Sequence, residues 1–434
     1  MEINLTTNFA IFTTIVIHCL SISSAIAHKQ RELNDSPSAF SLQLVTIPEG
    51  PDHNASRGSD GFLHLQRSLT TSAVDLNYVP IHGRGADVRI GTLTAFQEVT
   101  LMVSTMSSLT WLQCKPCSPM VPQRHPLFNP NKSPTYHAIK SVSLKCLPPF
   151  RPAQELDKCA FHLVGQEGVW ASGFVSTDHF RISSGAFQPD YLFGCAHITR
   201  TFNNGGNAAG VLGVGRGPMS LVTRAAAQGL TNFSYGLSHE TSHRSFLQFG
   251  ADVPHKPGRY RTTRILPPHS YHVRFIGVSL GERRLDGVLP EMFARRSDGQ
   301  GGCIVDLGTP MTTMVEEAYH AIEEAMWTDL KCHGAERVEQ AGYGLCVLAT
   351  EAIKGHLPSL SLHFAEEEAT LVVSPEQLFV VIDDKKSRQV LCLAMTPGRR
   401  TIIGALQQVD TWFVFDLKED KLSFWPESCH QESV

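Results

Sequence analysis

From about residue 86 onward, apolar residues come in short runs rather than at helical spacing. Val99–Val103, Gly173–Thr177, Asp190–Gly194, Ser245–Phe249 and Tyr271–Gly277 are rich in β-branched and aromatic residues, and clusters of Gly, Pro and Ser separate them. Such runs predict strands. Helical periodicity is rare and clearest at Ser220–Gln228 and Val315–Met326. Many short strands with two or three helices predict an all-β architecture.

The pattern also repeats. An apolar strand runs into Ser104-Thr105-Met106-Ser107, and Gly210-Val-Leu-Gly213 follows much later. In the second half Ile304-Val305 runs into Asp306-Leu307-Gly308-Thr309, and Thr401-Ile-Ile-Gly404 follows at a similar distance. Two copies of strand, tight loop and apolar-apolar-Gly strand predict a duplicated lobe facing its twin. The loop-forming stretch at 251–260 marks the boundary, so the lobes are expected at 79–252 and 253–434.

Upstream the pattern changes. Phe9–Leu20 is a short apolar run, and Ala25-Ile26-Ala27 has the small-x-small form of a signal cleavage site, so 1–27 reads as a secretory signal. Residues 28–78 are polar and irregular apart from one alternating segment, Phe40–Val45. They read as a pro-segment or a flexible extension.

Composition adds bounds. The 434 residues are 42% hydrophobic and 18% charged, with net charge -4. No basic run points to nucleic acid or an anionic membrane surface. Of eleven cysteines, Cys19 falls in the signal, leaving ten. In an oxidising compartment Cys114, Cys117, Cys146, Cys159, Cys195, Cys303, Cys332, Cys346, Cys392 and Cys429 are expected to pair. Cys114-x-x-Cys117 lacks the second pair that zinc requires, and no HExxH is present, so no metal or other cofactor is inferred. Sequons at Asn54, Asn131 and Asn232 are candidate glycosylation sites.

At the two loops the chain resembles the pepsin-like aspartic proteases (peptidase A1), in their plant nepenthesin-like branch. Ser104-Thr-Met-Ser-Ser-Leu-Thr-Trp-Leu-Gln-Cys-Lys-Pro-Cys117 follows the frame D-T-G-S-x-L-x-W-x-x-C-x-P-C of that branch. Further matches are Phe128–Ser133, Phe193-Gly-Cys195, Ala209–Gly217, Phe233-Ser-Tyr235, Asp298–Gly302, the Asp306 loop, Pro358–Phe364, Cys392–Ala394, Ile402–Gly404, Gln407-Gln408 and Phe415–Leu417. The resemblance covers residues 86 to 429 and implies a bilobal pepsin-like fold, two related β-barrel lobes with a cleft between them.

In that family two carboxylates share one proton and one water, one acting as base and the other as acid. Asp306 stands at the second-lobe catalytic position, while Ser104 replaces the first-lobe Asp. A serine hydroxyl cannot share a proton as a carboxylate does. Met106 replaces the loop glycine, and its bulk is expected to displace the loop. Leu307 replaces a hydroxyl that would partner Thr105 across the axis, removing half of an inter-lobe hydrogen-bonded grip. Aligning the substrate-covering flap puts Gly165 where the family has tyrosine, with Trp170 the nearest aromatic. The cysteines diverge as well: Met120, Ser141 and Gly236 stand at usual cysteine positions, and Cys303 and Cys332 are additions.

The resulting expectation is a secreted, monomeric, pepsin-like protein without proteolytic activity. It would bind a peptide or protein in a cleft lined by Thr105, Met106, Ser107, Gly165, Trp170, Leu307, Gly308 and Thr309. One alternative is an active acid endopeptidase in which Glu167 of the flap substitutes for the missing acid. Another is a non-catalytic inhibitor of secreted microbial glycosidases such as xylanases. A serine hydrolase built on Ser104 is disfavoured, because no G-x-S-x-G elbow surrounds it.

Overall fold

The computed structural model describes residues 40–47, 83–164, 170–182, 187–200, 208–238, 245–250, 260–266, 270–297, 300–366 and 369–426. Among these, strands dominate and helices are few, as the apolar pattern predicts. Residues 1–27, with the secretory reading placed on them, lie outside the described residues, as do most of 28–78. The exception is Phe40–Ile47. It is a strand of the main sheet, antiparallel to Ser245–Phe249 on one side and to Gly83–Gly91 on the other. Its alternation explains the fit, since Leu42 and Leu44 are buried while Gln43 between them is exposed.

The duplicated pattern becomes a duplicated geometry. Phe96–Ser104 runs parallel to Gly210–Gly213, with Ser104 opposite Gly213. In the second half Cys303–Val305 runs parallel to Thr401–Ile403, with Val305 opposite Ile403. Gly213 ends the first crossing strand and Gly404 follows the second, because the loop backbone passes directly over each. A Cβ at Gly213 would lie 2.9 Å from the carbonyl carbon of Leu109, and one at Gly404 would lie 2.4 Å from that of Met311. Thr110 Oγ1 accepts from Gly213 N, and Thr312 Oγ1 accepts from Gly404 N, both at 3.0 Å. The two threonines sit at the same offset from Ser104 and from Asp306.

Asn232–Gly236 pairs antiparallel with Thr411–Asp416, so one sheet runs through both halves. Its core face is aromatic. Phe233 stacks on Phe415 with centroids 4.5 Å apart, and Tyr271 sits edge-on to both. A second, smaller apolar cluster in the first half gathers Trp111, Ile139, Phe150 and Phe161.

The main helix, Glu316–Cys332, is longer than the periodicity at 315–326 indicates. Its buried stripe of Ala318, Tyr319, Ile322 and Met326 continues to Leu330, and Gly334 in the left-handed region ends it. The expected helix at 220–228 is shorter, Leu221–Ala226, with Ser220 capping it by accepting from Thr223 N.

The expected pairing of ten cysteines is corrected. Cys114 bonds Cys195, Cys146 bonds Cys159 and Cys346 bonds Cys392. Cys117, Cys303 and Cys332 are free thiols, and Cys429 lies outside the described residues. Cys303 is locked in the strand leading to Asp306, fully buried, and that burial pushes its thiol far above the ordinary range. Cys332 is exposed at the end of the long helix. Of the sequons, Asn131 is exposed in the short turn Pro130–Lys132 and Asn232 is half-buried at the start of a strand, while Asn54 is outside the described residues.

Candidate functional site

The strand Phe96–Ser104 and the strand Cys303–Val305 deliver their loops to a single point. There the buried carboxylate of Asp306 faces Ser104. Asp306 Oδ1 accepts from Thr105 N at 2.8 Å, Met106 N at 3.2 Å and Ser104 Oγ at 3.2 Å. Thr105 Oγ1 lies 2.8 Å from both Asp306 Oδ1 and Val305 O, and its single proton serves one of them at a time. Asp306 Oδ2 accepts from Thr309 Oγ1 at 2.8 Å. The retained acid is thus held by its own loop through one oxygen and by the opposite loop through the other.

Ser104 does more than leave a gap. Its Oγ also accepts from Met106 N and Ser107 N, each at 3.2 Å, so the hydroxyl ties its loop into a turn and presents its proton to Asp306. Among the described residues no histidine hydrogen-bonds Ser104 and no second carboxylate hydrogen-bonds Asp306. Ser107, at the offset where Thr309 orients Asp306, donates instead to Leu109 O at 2.8 Å.

Met106 does not displace its loop from the acid, contrary to the expectation from its bulk. Its N–H still reaches Asp306, its φ is not positive, and its side chain is half-buried. The opposite position is far tighter. A Cβ on Gly308 would lie 2.8 Å from Ser104 Cβ, so glycine there is a packing requirement. Leu307 is fully buried in the core, and the grip across the axis consists of the Thr105 side alone. Gly165 and Glu167 lie outside the described residues, and Trp170 opens the strand Trp170–Arg181.

Several residues that support the site escape any reading of the two loops. Gln408, completely buried, donates to Asp306 O at 3.1 Å and to Ile403 O at 2.8 Å, while its Oε1 accepts from Tyr235 OH. Burial and then the charge of Asp306 push the Tyr235 phenol well above its usual range, so it remains a donor. Tyr271 OH donates to Val214 O at 2.9 Å, which fixes the strand that crosses behind Ser104. Gln407-Gln408 and Tyr235 stand among the family matches in the sequence, which carry no sign of their role behind Asp306. Gln407 is equally committed, accepting from Thr312 N and donating to Gln377 O and Ala394 O.

Two duplicated β-lobes meeting at paired loops, one bearing Asp and the other Ser, define a pepsin-like protein with an asymmetric acid site. Comparison with known proteins agrees. Residues 86–251 match the family described as Xylanase inhibitor N-terminal, and 270–426 match Xylanase inhibitor C-terminal. Aspartic proteinase nepenthesin-2 of Nepenthes gracilis is 28% identical over 79% of this chain and 77% of its own length. Aspartyl protease family protein 2 of Arabidopsis thaliana is 28% identical over 79% of this chain and 70% of its own. Among solved structures, edgp superposes with a TM-score of 0.64 at 18% identity, covering 90% of this chain and 95% of that one. Basic 7S globulin from soybean gives 0.62 at 19% identity, covering 80% and 93%. The chain belongs to the pepsin-like aspartic protease family, peptidase A1.

Proposed function

We propose that this protein is a secreted, non-catalytic member of its family that binds a peptide or protein. The observation that carries the reading is the single acid: Asp306 meets a serine where the mechanism calls for a second carboxylate. Peptide hydrolysis on this fold needs a base to activate water and an acid to protonate the carbonyl oxygen, and one carboxylate beside an alcohol supplies only one of these. Losing a catalytic partner costs several orders of magnitude in rate. Four donors crowd Asp306 Oδ1, so the carboxylate acts as a clasp between the lobes.

The test is cleavage of an unfolded protein between about pH 3 and 6, with and without a transition-state-mimicking aspartic protease inhibitor. No inhibitor-sensitive turnover is expected. Turnover that the inhibitor abolishes would establish the alternative, an acid endopeptidase drawing its second acid from elsewhere.

A second reading is favoured by the family descriptions, which name xylanase inhibition for both halves of the chain. The binding partner would then be a secreted glycosidase. Inhibition of a purified xylanase, measured as loss of sugar release, separates this reading from binding of small peptides.

A further inference from the structure

The first lobe carries an apolar feature unrelated to the loop pair. Ten large hydrophobic side chains stand out as exposed among the described residues, and four of them, Val142, Leu144, Leu147 and Leu156, fall between residues 142 and 156. Their exposures are 85%, 89%, 62% and 60%. An exposed leucine by itself means little, whereas several on one short segment mark an interaction surface.

The segment is also cross-braced. The Cys146–Cys159 disulfide closes it, and both sulfurs are buried in the satellite core with Ile139, Phe150 and Phe161. Turns from Ser143 N to Lys140 O, Cys146 N to Ser143 O and Phe150 N to Leu147 O shape the tip. Arg151–Ala153 pairs with Lys158–Val164 beneath it, and Ser141 Oγ donates to Asp157 at 2.9 Å. The loop therefore buries its staple and one aromatic anchor while holding its aliphatic tips in water. A preorganised surface of this kind loses little entropy on binding.

The rim has a sign. Lys140 pairs with Asp157 at 3.7 Å, and Lys158 lies over the Phe174 ring. Lys145 and Arg151 are exposed and make no ion pair among the described residues. Glu155 is exposed as well, so residues 140–158 set four basic side chains against two acidic ones, a net basic rim on a chain whose net charge is -4.

We propose that this stapled loop is the docking surface for a partner protein with an apolar recess ringed by carboxylates. The inference rests on the protein-binding reading above and places the contact away from the Ser104–Asp306 pair. Glycosidase clefts supply the carboxylates, because cleaving a glycosidic bond requires a pair of them. The aliphatic tips would fill the recess, while Lys145 and Arg151 meet its rim and speed association.

The experiment measures binding of the intact, oxidised protein to a purified endo-xylanase and a purified endo-glucanase. It compares the wild type with Leu144→Asp/Leu147→Asp, with the milder Leu144→Ser, with Lys145→Glu/Arg151→Glu, and with Asp306→Asn. At least one probe should bind the wild type. The double aspartate should weaken that binding by at least about tenfold, and the charge reversal should slow association in a salt-dependent way. Near-UV circular dichroism verifies folding, and Leu144→Ser decides the matter if the double aspartate does not fold. Binding unchanged by every loop variant but lost in Asp306→Asn overturns the docking surface and leaves the non-catalytic reading standing. Inhibitor-sensitive proteolysis overturns that reading whatever the loop does. Failure of both probes to bind, or binding to phosphatidylserine vesicles in their place, overturns the proposed partner class.

Discussion

The two loops that meet at the centre occupy equivalent places in a duplicated fold, yet they have diverged in opposite directions. The Asp306 loop kept its acid, its glycine and the hydroxyl of Thr309. The Ser104 loop kept Thr105, Ser107 and the backbone donors but has neither the acid nor the glycine. The crossing strands behind them scarcely differ, down to the paired threonine–glycine hydrogen bonds. The tight backbone packing is alike in both halves, while the loop-tip side chains depart from the family at Ser104 and Met106 in one loop and at Leu307 in the other. In this molecule the demands of architecture and those of chemistry are separable.

The largest expected effect comes from removing the clasp. Asp306→Ala strands the buried donors of Thr105, Met106 and Thr309, and should cost about 3 kcal/mol or more of stability, read from the urea midpoint. Ser104→Ala should cost only about 1 kcal/mol in the same assay. Equal losses would mean that the asymmetry between the loops is superficial.

Next comes the pH response, to which His272 in the second lobe contributes. This residue pairs in register with Ile304 on the strand leading to Asp306. Burial, then Arg295 and Arg400, lower its pKa to about 4. The unfolded chain, with an imidazole near about 6.5, takes up that proton first. The contribution of His272 to stability is therefore complete above about pH 6.5 and is lost as the pH drops to about 4, a fall of at most about 2–3 kcal/mol before solvent screening reduces it. His272→Gln should flatten that slope in pH-dependent thermal unfolding, and an unchanged slope would assign it to other groups.

Of intermediate size is the comparison of Gly308 with Met106. Gly308→Ala drives a methyl into Ser104 and should cost about 1–3 kcal/mol. Met106→Gly relieves no clash and should stay within about 1 kcal/mol of wild type. The double variant Ser104→Asp/Met106→Gly restores the family's loop and faces two carboxylates across the axis. One of them would then have a folded-state pKa above its unfolded value of about 3.9, so its stability penalty is absent at low pH and grows as pH rises through about 4. Cleavage by this variant would show that the remaining cleft is intact; its absence would implicate Leu307 or Gly165. The smallest effect is that of Thr105→Val, about 1 kcal/mol for the remaining half of the grip.

Much of this was legible from residue order. Alternation predicted the strands, the echo predicted the twin lobes, and the identities of Ser104, Met106 and Leu307 showed where the acid site departs from its family. What stayed hidden depends on contacts distant in sequence. Nothing in Gln408 or Tyr235 says that they converge behind Asp306, because 173 residues separate them. The even count of cysteines suggested full pairing, yet Cys303 ends in a core strand as a free thiol. Met106 looked disruptive because bulk is visible in a sequence, whereas the room around it is not.

By itself the sequence determined which residues stand at the two loop tips, since a missing carboxylate is a matter of composition at a position. Only the tertiary structure decided what the surviving carboxylate does. Hydrogen-bond donors have effect only at contact distance, and folding brought four of them onto a single oxygen of Asp306.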